Sequence, residues 1–154
     1  MPKLDIDSLP QKNDTGYPPP FAEAVEGRWK KRLAVAAGMS LLGATHTVLK
    51  PGAWSSQRHW HDGEDELLVM LSGEAVLVED EGRTMLTAGD ICAWPAGSTN
   101  GHHVINESDA DCSFVVVSAG DRTAGGGYSD IDMVFEDGRY LHRDGTPYEG
   151  KRLP

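Results

Sequence analysis

The sequence has little cysteine and no long apolar run. Cys92 and Cys112 are its two cysteines, and they form no CxxC pair. Both fall in apolar, strand-like segments, where a free cysteine commonly packs as a small hydrophobic residue, so we predict neither a disulfide nor a zinc knuckle. No window approaches the ~18 apolar residues that span a bilayer, and residues 1–20 lack the apolar core of a signal peptide. We therefore expect a cytoplasmic protein that does not contact membranes.

Positive charge is also scarce. The 154 residues include 14 Lys and Arg against 24 Asp and Glu, which gives a formal net charge of -10 at pH 7. A field of this sign repels phosphate backbones and argues against a nucleic-acid partner. Surface carboxylates commonly confer solubility, so the acidic excess does not by itself indicate a cationic ligand.

Turn residues divide the middle of the chain into short apolar segments. From Ala44 onward, apolar runs of about five to eight residues alternate with turns such as Asp62-Gly63 and Ser72-Gly73. This spacing is typical of an antiparallel barrel or sandwich. We predict one all-β domain in three parts: an arm and cover segment over residues 1–43, a barrel over residues 44–120, and a tail over residues 121–154 that packs on the barrel.

The segments on either side of the barrel have patterns of their own. The sequence Tyr-Pro-Pro-Pro at residues 17–20 favours an extended arm that crosses the barrel or a partner subunit. Apolar residues then recur at intervals of four, at Phe21, Val25, Trp29 and Leu33. This spacing suits one short amphipathic helix or an irregular cover. Near the other end, Asp137-Gly138 predicts the turn of a late hairpin.

The strand predicted at residues 67–71 is apolar on both faces, because Leu67, Val69 and Leu71 alternate with Leu68 and Met70. Such a strand is usually covered on both sides, here by the opposite sheet and by something outside it. Two-fold dimers are the commonest oligomers of soluble proteins. We therefore expect a homodimer.

The residues most suggestive of chemistry begin at His59 and His61. Side chains alternate between the faces of a strand, so these two imidazoles should share a face. A turn at residues 62–63 lets the chain reverse, and Glu66 on the next strand can then return to the same point. A carboxylate at the mouth of an apolar interior is stabilised by a divalent cation. The acidic residues at 64–65 are alternatives to Glu66.

A second cluster of such residues lies further along the chain. Residues 89–106 contain a glycine, then Pro95-Ala96-Gly97, then the pair His102 and His103, and finally Asn106. Together with the segment from Gly52 through the paired histidines and the glutamate to Gly73, they resemble the two sequence motifs of the cupin superfamily. The wider pattern, over about residues 45–148, is similar to a group of small single-domain bacterial cupins that are uncharacterised or assigned to sugar binding.

The resemblance implies both a fold and a metal site. The fold is all-β, a double-stranded β-helix or jelly-roll barrel, with an extended N-terminal arm and a C-terminal hairpin. The metal ligands would be His59, His61, Glu66 and His102. Four residues separate Gly97 from His102, two more than is usual in the family, which leaves His103 as an alternative ligand. The four-residue step from His102 to Asn106 favours His102.

Two functional hypotheses follow from this ligand set. Imidazoles with one carboxylate suit manganese, iron, nickel, cobalt or zinc, and ligand type alone does not separate these divalent ions. The chain is either a metal-dependent enzyme of dioxygenase, isomerase or lyase type acting on a small oxygenated molecule, or a non-catalytic cupin that binds a sugar-like molecule or carboxylate. No general acid or base is evident beside the ligands, so catalytic residues are not assigned. Gln57, Met70 and His103 are candidates for contact with the small-molecule ligand.

Overall fold

The computed structural model describes residues 3–149, and nearly all of its regular structure is strand. The strands are β1 (Arg28–Arg32), β2 (Gly43–Leu49), β3 (His59–His61), β4 (Glu64–Ser72), β5 (Glu74–Glu79), β6 (Gly82–Thr87), β7 (Ile91–Trp94), β8 (His103–Ile105), β9 (Cys112–Gly120), β10 (Gly126–Tyr128), β11 (Val134–Glu136) and β12 (Arg139–Leu141). A 3-10 helix at Glu23–Val25 and α1 at Leu33–Ala36 complete the elements. Within residues 3–149, no helix is long and apolar enough to cross a membrane.

The strands form two walls. A five-stranded sheet has the order β1-β2-β9-β4-β7, and its pairings are antiparallel. A four-stranded sheet (β12-β11-β10-β3) and a three-stranded sheet (β6-β5-β8) are joined by an isolated bridge between His59 and His102, so together they form the opposite wall. The predicted all-β jelly-roll barrel is confirmed.

The barrel interior is filled by apolar side chains from both walls. The principal core cluster includes Leu49, Leu68, Met70, Leu77, Leu86, Val104 and Phe114. Strand β4 alternates as its sequence requires, with Leu68 and Met70 buried while Leu67 and Leu71 are 38% and 46% exposed. The outer face of β4 is therefore open in the single chain, and its cover by a second subunit stays a prediction.

The N-terminal segment contains a strand where four-residue spacing suggested a helix. Of the two alternatives for the apolar series, a single helix is wrong, because helical turns are confined to Glu23–Val25 and Leu33–Ala36. Trp29 instead lies in β1 opposite Val48 of β2. Pairing with the edge of β2 satisfies the backbone groups of β1, and this tertiary gain overrides the spacing.

The arm before β1 crosses its own barrel. Lys12 forms backbone hydrogen bonds with Lys30 in both directions, at 2.7 and 3.0 Å. Further along the arm, Tyr17 is buried in a second apolar cluster with Val25, Tyr128, Met133, Phe135 and Tyr140. The arm thus closes the end of the barrel that the core does not fill.

The C-terminal part returns to the same cluster. Strands β11 and β12 pair antiparallel around Asp137-Gly138, both of which have positive φ (47° and 71°). The predicted late hairpin is confirmed. Residues 1–2 of the predicted arm and 150–154 of the predicted tail lie outside the described residues.

Candidate metal centre

Three segments bring four ligand-type side chains to one point inside the barrel. Strand β3 presents His59 and His61 on one face, as strand alternation requires. The chain then turns, and β4 presents Glu66. His102 is set beside His59 by two backbone hydrogen bonds, of 2.9 and 3.2 Å, between these two residues. The side chains that the sequence predicted as ligands therefore lie together.

The donor-atom distances of His59, His61 and Glu66 fit a single ion, and His102 lies against the same carboxylate. The Nε2 atoms of His59 and His61 are 3.1 Å apart. The two carboxylate oxygens of Glu66 lie 3.4 Å from Nε2 of His61 and 3.4 Å from Nε2 of His102. Two ligand atoms that are each about 2.1 Å from an ion and at right angles are about 3.0 Å from each other. This donor set could hold a divalent metal.

A buried nitrogen supports the same interpretation. Nε2 of His102 is inaccessible to solvent and makes no hydrogen bond with any of residues 3–149. Buried polar atoms are rarely left without a partner, because an unmade hydrogen bond in the interior costs about 1–3 kcal/mol. Since this nitrogen faces the Glu66 carboxylate, coordination to a shared ion would satisfy it.

Backbone carbonyl groups orient two of the rings. Nδ1 of His59 lies 3.0 Å from the carbonyl oxygen of Gln57, and Nδ1 of His102 lies 3.4 Å from that of Asn100. A carbonyl oxygen can only accept, so it favours the tautomer with the proton on Nδ1. The lone pair of each ring is then on Nε2, where the ion would bind.

The acidic neighbours of Glu66 have other contacts. Glu64 places a carboxylate oxygen 3.5 Å from Nδ1 of His61, on the side of the ring away from the cluster, and another 3.3 Å from Nε of Arg122. Asp65 accepts a hydrogen bond of 2.8 Å from the backbone amide of Ala96. Glu66 is accordingly the carboxylate of the cluster.

His103, the alternative to His102, occupies a different place. Its side chain is buried, Nδ1 lies 3.0 Å from the carbonyl oxygen of Ser56, and the ring packs edge-on against Trp54 with centroids 4.7 Å apart. By contrast, His102 faces the Glu66 carboxylate directly. Despite the elongated loop, His102 rather than His103 faces the cluster.

The electrostatics of the cluster suit a cation. Burial, with the neighbouring imidazoles, lowers the pKa of His59 to about 3, which keeps this ring neutral. Burial acts to raise the pKa of Glu66, but the facing imidazoles of His102 and His61 hold it well below its ordinary value. Burial acts to lower the pKa of His61, yet contact with Glu66 and Glu64 raises it overall. A neutral imidazole beside an ionised carboxylate is the state that metal coordination requires.

Comparison with known proteins identifies the family. The cupin domain model matches residues 45–118. A solved structure from Silicibacter pomeroyi, described as a sugar phosphate isomerase from a cupin superfamily, is 37% identical over 99% of this chain and 100% of its own, with a TM-score of 0.91. The chain belongs to the cupin superfamily.

More distant matches share the cupin fold. A provisionally assigned sugar phosphate isomerase from Acidithiobacillus ferrooxidans is 22% identical over 73% of each chain, with a TM-score of 0.67. A polyketide cyclase from Streptomyces resistomycificus is 19% identical over 77% of this chain and 79% of its own, with a TM-score of 0.61. These identities establish the fold alone. No curated protein matches the sequence.

In this cupin, a stacked tryptophan supports the ligand on the elongated loop. The indole of Trp94 stacks on the imidazole of His102, and its Nε1 donates a 2.7 Å hydrogen bond to Glu79. Nδ2 of Asn100, within the loop, donates to the same carboxylate oxygen at 3.2 Å. Glu79 of β5 thus links the loop, through Asn100, to Trp94 of β7, which stacks on His102. No sequence pattern signalled these contacts.

The centre opens into a cavity of about 290 Å³. This volume is at the lower end of the range for small-molecule sites. Besides the ligands and apolar residues, polar side chains line it: Thr15, Tyr17, Arg28, Lys30, Thr45, Thr47, Ser55, Ser56, His103, Tyr128 and Tyr140. Most of these come from the arm, β1, β2 and the C-terminal segments, outside the two motifs, which is why sequence reasoning missed them.

Of the three predicted ligand contacts, only His103 lines the cavity. Gln57 lies before β3 begins, so strand alternation does not govern it, and its Nε2 instead donates to the carbonyl oxygen of Phe21 at 2.9 Å. Met70 lies one inward position beyond Leu68, where the barrel is already filled, and it is 1% exposed. The expectation that Gln57 and Met70 contact the ligand is therefore wrong, because neither side chain lines the cavity.

Proposed function

We propose that this cupin is a metal-dependent isomerase that acts on a small sugar phosphate. The observation that carries the proposal is the convergence of His59, His61, Glu66 and His102 at one end of a 290 Å³ cavity that also contains buried cationic and hydroxyl groups. The 37% identical relative from Silicibacter pomeroyi, described as a sugar phosphate isomerase, supports the same reaction class.

The chain's own residues have definable roles in such a reaction. The four ligands would hold a divalent ion, which supplies Lewis-acid polarisation of a substrate carbonyl or hydroxyl oxygen when bound. Isomerisation between an aldose and a ketose moves hydrogen between adjacent carbons and consumes no second substrate. The protein must therefore position one small molecule and exclude bulk water. Apolar walls such as Leu68 and Phe114 exclude water, and His103 and the tyrosine hydroxyls are placed to orient substrate hydroxyls.

Metal analysis combined with a turnover assay tests the proposal. Wild-type protein, reconstituted with manganese, iron, nickel, cobalt or zinc in turn, is incubated with a panel of aldose and ketose phosphates, and NMR follows their interconversion. We expect about one ion per chain and turnover with at least one metal. His59→Ala should lose both the bound ion and turnover.

A matched control is available in β2. His46 neighbours the cavity-lining Thr45 and Thr47 on its strand, so it points to the opposite face. His46→Ala should keep metal content and turnover at the wild-type level. If His59→Ala retains its ion, or if no metal supports turnover of any sugar phosphate, the proposal fails.

One observation favours a second function. Among the described residues, Glu66 is the only carboxylate that lines the cavity, so no acidic side chain outside the ligand set is placed to act as a general base. The alternative is therefore a non-catalytic cupin that binds a sugar-like molecule or carboxylate. Tight binding of a sugar phosphate to the metal-loaded protein, without interconversion, would establish this alternative.

A further inference from the structure

Arg28 is a buried cation in the cavity wall that has no carboxylate partner among residues 3–149. The residue is 9% exposed, and its Nη1 donates a 2.6 Å hydrogen bond to the carbonyl oxygen of Ser55. Its Nε is inaccessible to solvent and has no hydrogen-bond partner among residues 3–149. The ion pairs within that part of the chain do not include Arg28, and Asp14 acts on the guanidinium only from beyond pairing distance. A buried charge without an opposite charge nearby is destabilising, and an anionic ligand bound to the guanidinium would compensate it.

Three phenol groups lie beside this guanidinium. Tyr17, Tyr128 and Tyr140 line the same cavity, with ring centroids 5.3 to 6.3 Å apart. Burial raises the pKa of each of them, so all three hydroxyls stay protonated near neutral pH. Neutral hydroxyl donors beside a guanidinium are well suited to bind an oxyanion, because guanidinium and oxyanion form strong, charge-assisted hydrogen bonds.

A second cation lies on the same face of β1. Lys30 is two residues beyond Arg28, so strand alternation directs both side chains toward the cavity, which both line. The arm covers this part of the strand through the backbone hydrogen bonds between Lys12 and Lys30. β1 therefore presents two positive charges to a cavity whose carboxylate, Glu66, faces the histidine cluster.

The cationic wall and the metal centre are connected by adjacent residues. The guanidinium of Arg28 is hydrogen-bonded to Ser55, and Oγ of the next residue, Ser56, lies 3.2 Å from Nδ1 of His59. Arg28 and the histidine cluster also line one cavity of about 290 Å³, which has room for a single small molecule.

We propose that Arg28, assisted by Lys30 and the three tyrosine hydroxyls, forms the subsite for the phosphate group of the substrate. The proposal rests on the function proposed above and adds the direction of binding: the phosphate lies against β1 and the carbonyl end reaches the histidine cluster. Arg28 is thus a specificity-determining residue, which selects the phosphorylated sugar over the free sugar.

Binding of inorganic phosphate tests this subsite without requiring turnover. Calorimetric titration of the metal-loaded wild-type protein should show saturable phosphate binding. Arg28→Met removes the charge with little change in side-chain length and should weaken phosphate binding by roughly tenfold or more, while metal content stays unchanged. Lys30→Met should weaken it several-fold. Arg32→Met, which removes an exposed arginine from the same strand, should bind phosphate as the wild type does.

A second variant separates the subsite from the metal centre. Phosphate can also bind a metal ion directly, so the titration is repeated with His59→Ala. We expect this variant to lose metal and to keep phosphate binding, the reverse of Arg28→Met.

The outcomes distinguish the two proposals. Phosphate binding that depends on Arg28, with no isomerase turnover, would support the subsite and overturn the proposed function. No phosphate binding by the wild type, or equal affinity in the Arg28 and Lys30 variants, would overturn the subsite whatever the turnover. Loss of phosphate binding in His59→Ala would also overturn it. If Arg28→Met is insoluble, the Lys30 variant and His59→Ala decide by the same criteria.

Discussion

The indole ring of Trp94 lies flat on the imidazole of His102, with ring centroids 3.8 Å apart and 9° between the planes. The same indole donates its N–H to Glu79, which also accepts from Asn100 in the loop before the ligand. The position of His102 therefore depends on a carboxylate in β5 that lies outside the ligand set. Contacts of this kind set the orientation, and with it the affinity, of metal ligands.

Removing the charge of Glu79 should weaken metal binding. Glu79→Gln keeps the side-chain shape and loses the charge-assisted hydrogen bonds from Trp94 and Asn100, so His102 is held less firmly. We expect metal affinity to fall by about tenfold, as measured by competition with a chromophoric chelator. Glu74→Gln, at an exposed position of the same strand, is the control and should bind metal normally. Equal affinities in the two variants would show that the contact does not support the site.

His102 and His103 should respond oppositely to substitution. His102→Gln removes a nitrogen that faces the Glu66 carboxylate, and we expect it to lower metal affinity by at least about 100-fold. His103→Gln alters a ring that packs on Trp54, so metal content should remain near that of the wild type. Elemental analysis after dialysis measures the metal retained by each of the two variants. Metal loss in the His103 variant alone would reverse the assignment.

Three of the four predicted ligands followed from local geometry, and the fourth, His102, followed from the resemblance to the second cupin motif. The residues around them could not be predicted. His59 and His61 follow from strand alternation, and Glu66 follows from the turn after them. These relations involve residues close in sequence. Arg28 reaches the same cavity only because β1 pairs with β2, a contact that the four-residue spacing of the N-terminal segment concealed.

The errors have a similar origin. Gln57 has the same parity as His59, but parity places a side chain only within a strand, and β3 begins two residues later. The stacking of Trp94 on His102 and the placement of Tyr17 beside Tyr128 join segments distant in sequence, and neither leaves a periodic signal. The positions of site residues within one hairpin could be inferred from the sequence. Contacts between side chains of different sheets could be found only from the fold.

The ion pair between Arg58 and Asp130 should contribute to stability in a pH-dependent way. Arg58 donates to Asp130 at 2.7 and 2.9 Å and lowers the pKa of that carboxyl below its ordinary value. Because the pKa is lower in the folded state, the contribution is fully present above about pH 5, and it is lost as the pH falls below ~3.9 and through the folded pKa.

The matching variant is Asp130→Asn. At pH 7 its melting temperature should be roughly 2 °C below that of the wild type, because the carboxylate is largely exposed and such pairs are weak. As the pH falls through the lowered pKa of Asp130, the difference should shrink toward zero. Asp109→Asn, in an exposed loop, should show no difference at any pH in this range. A deficit that stays constant across the pH range would contradict the assigned role of the ion pair.

The exposed apolar face of the five-stranded sheet should be a dimer interface. Leu67 on β4 and Ile91 on β7 are 38% and 64% exposed on neighbouring strands of this sheet. Light scattering coupled to size-exclusion chromatography should report a dimer, and Ile91→Glu should convert it to a monomer. Met85→Glu, at a 58% exposed position of the other wall, should leave the dimer intact. A monomeric wild type would rule out this interface.

The most direct test of the metal centre is an anomalous difference map from crystals of the protein reconstituted with manganese, iron, nickel, cobalt or zinc. We predict one strong peak for each chain, within coordination distance of Nε2 of the three histidines His59, His61 and His102 and of the Glu66 carboxylate. A peak elsewhere, or no peak after reconstitution with any of these metals, would contradict the assignment of this cluster as a metal centre.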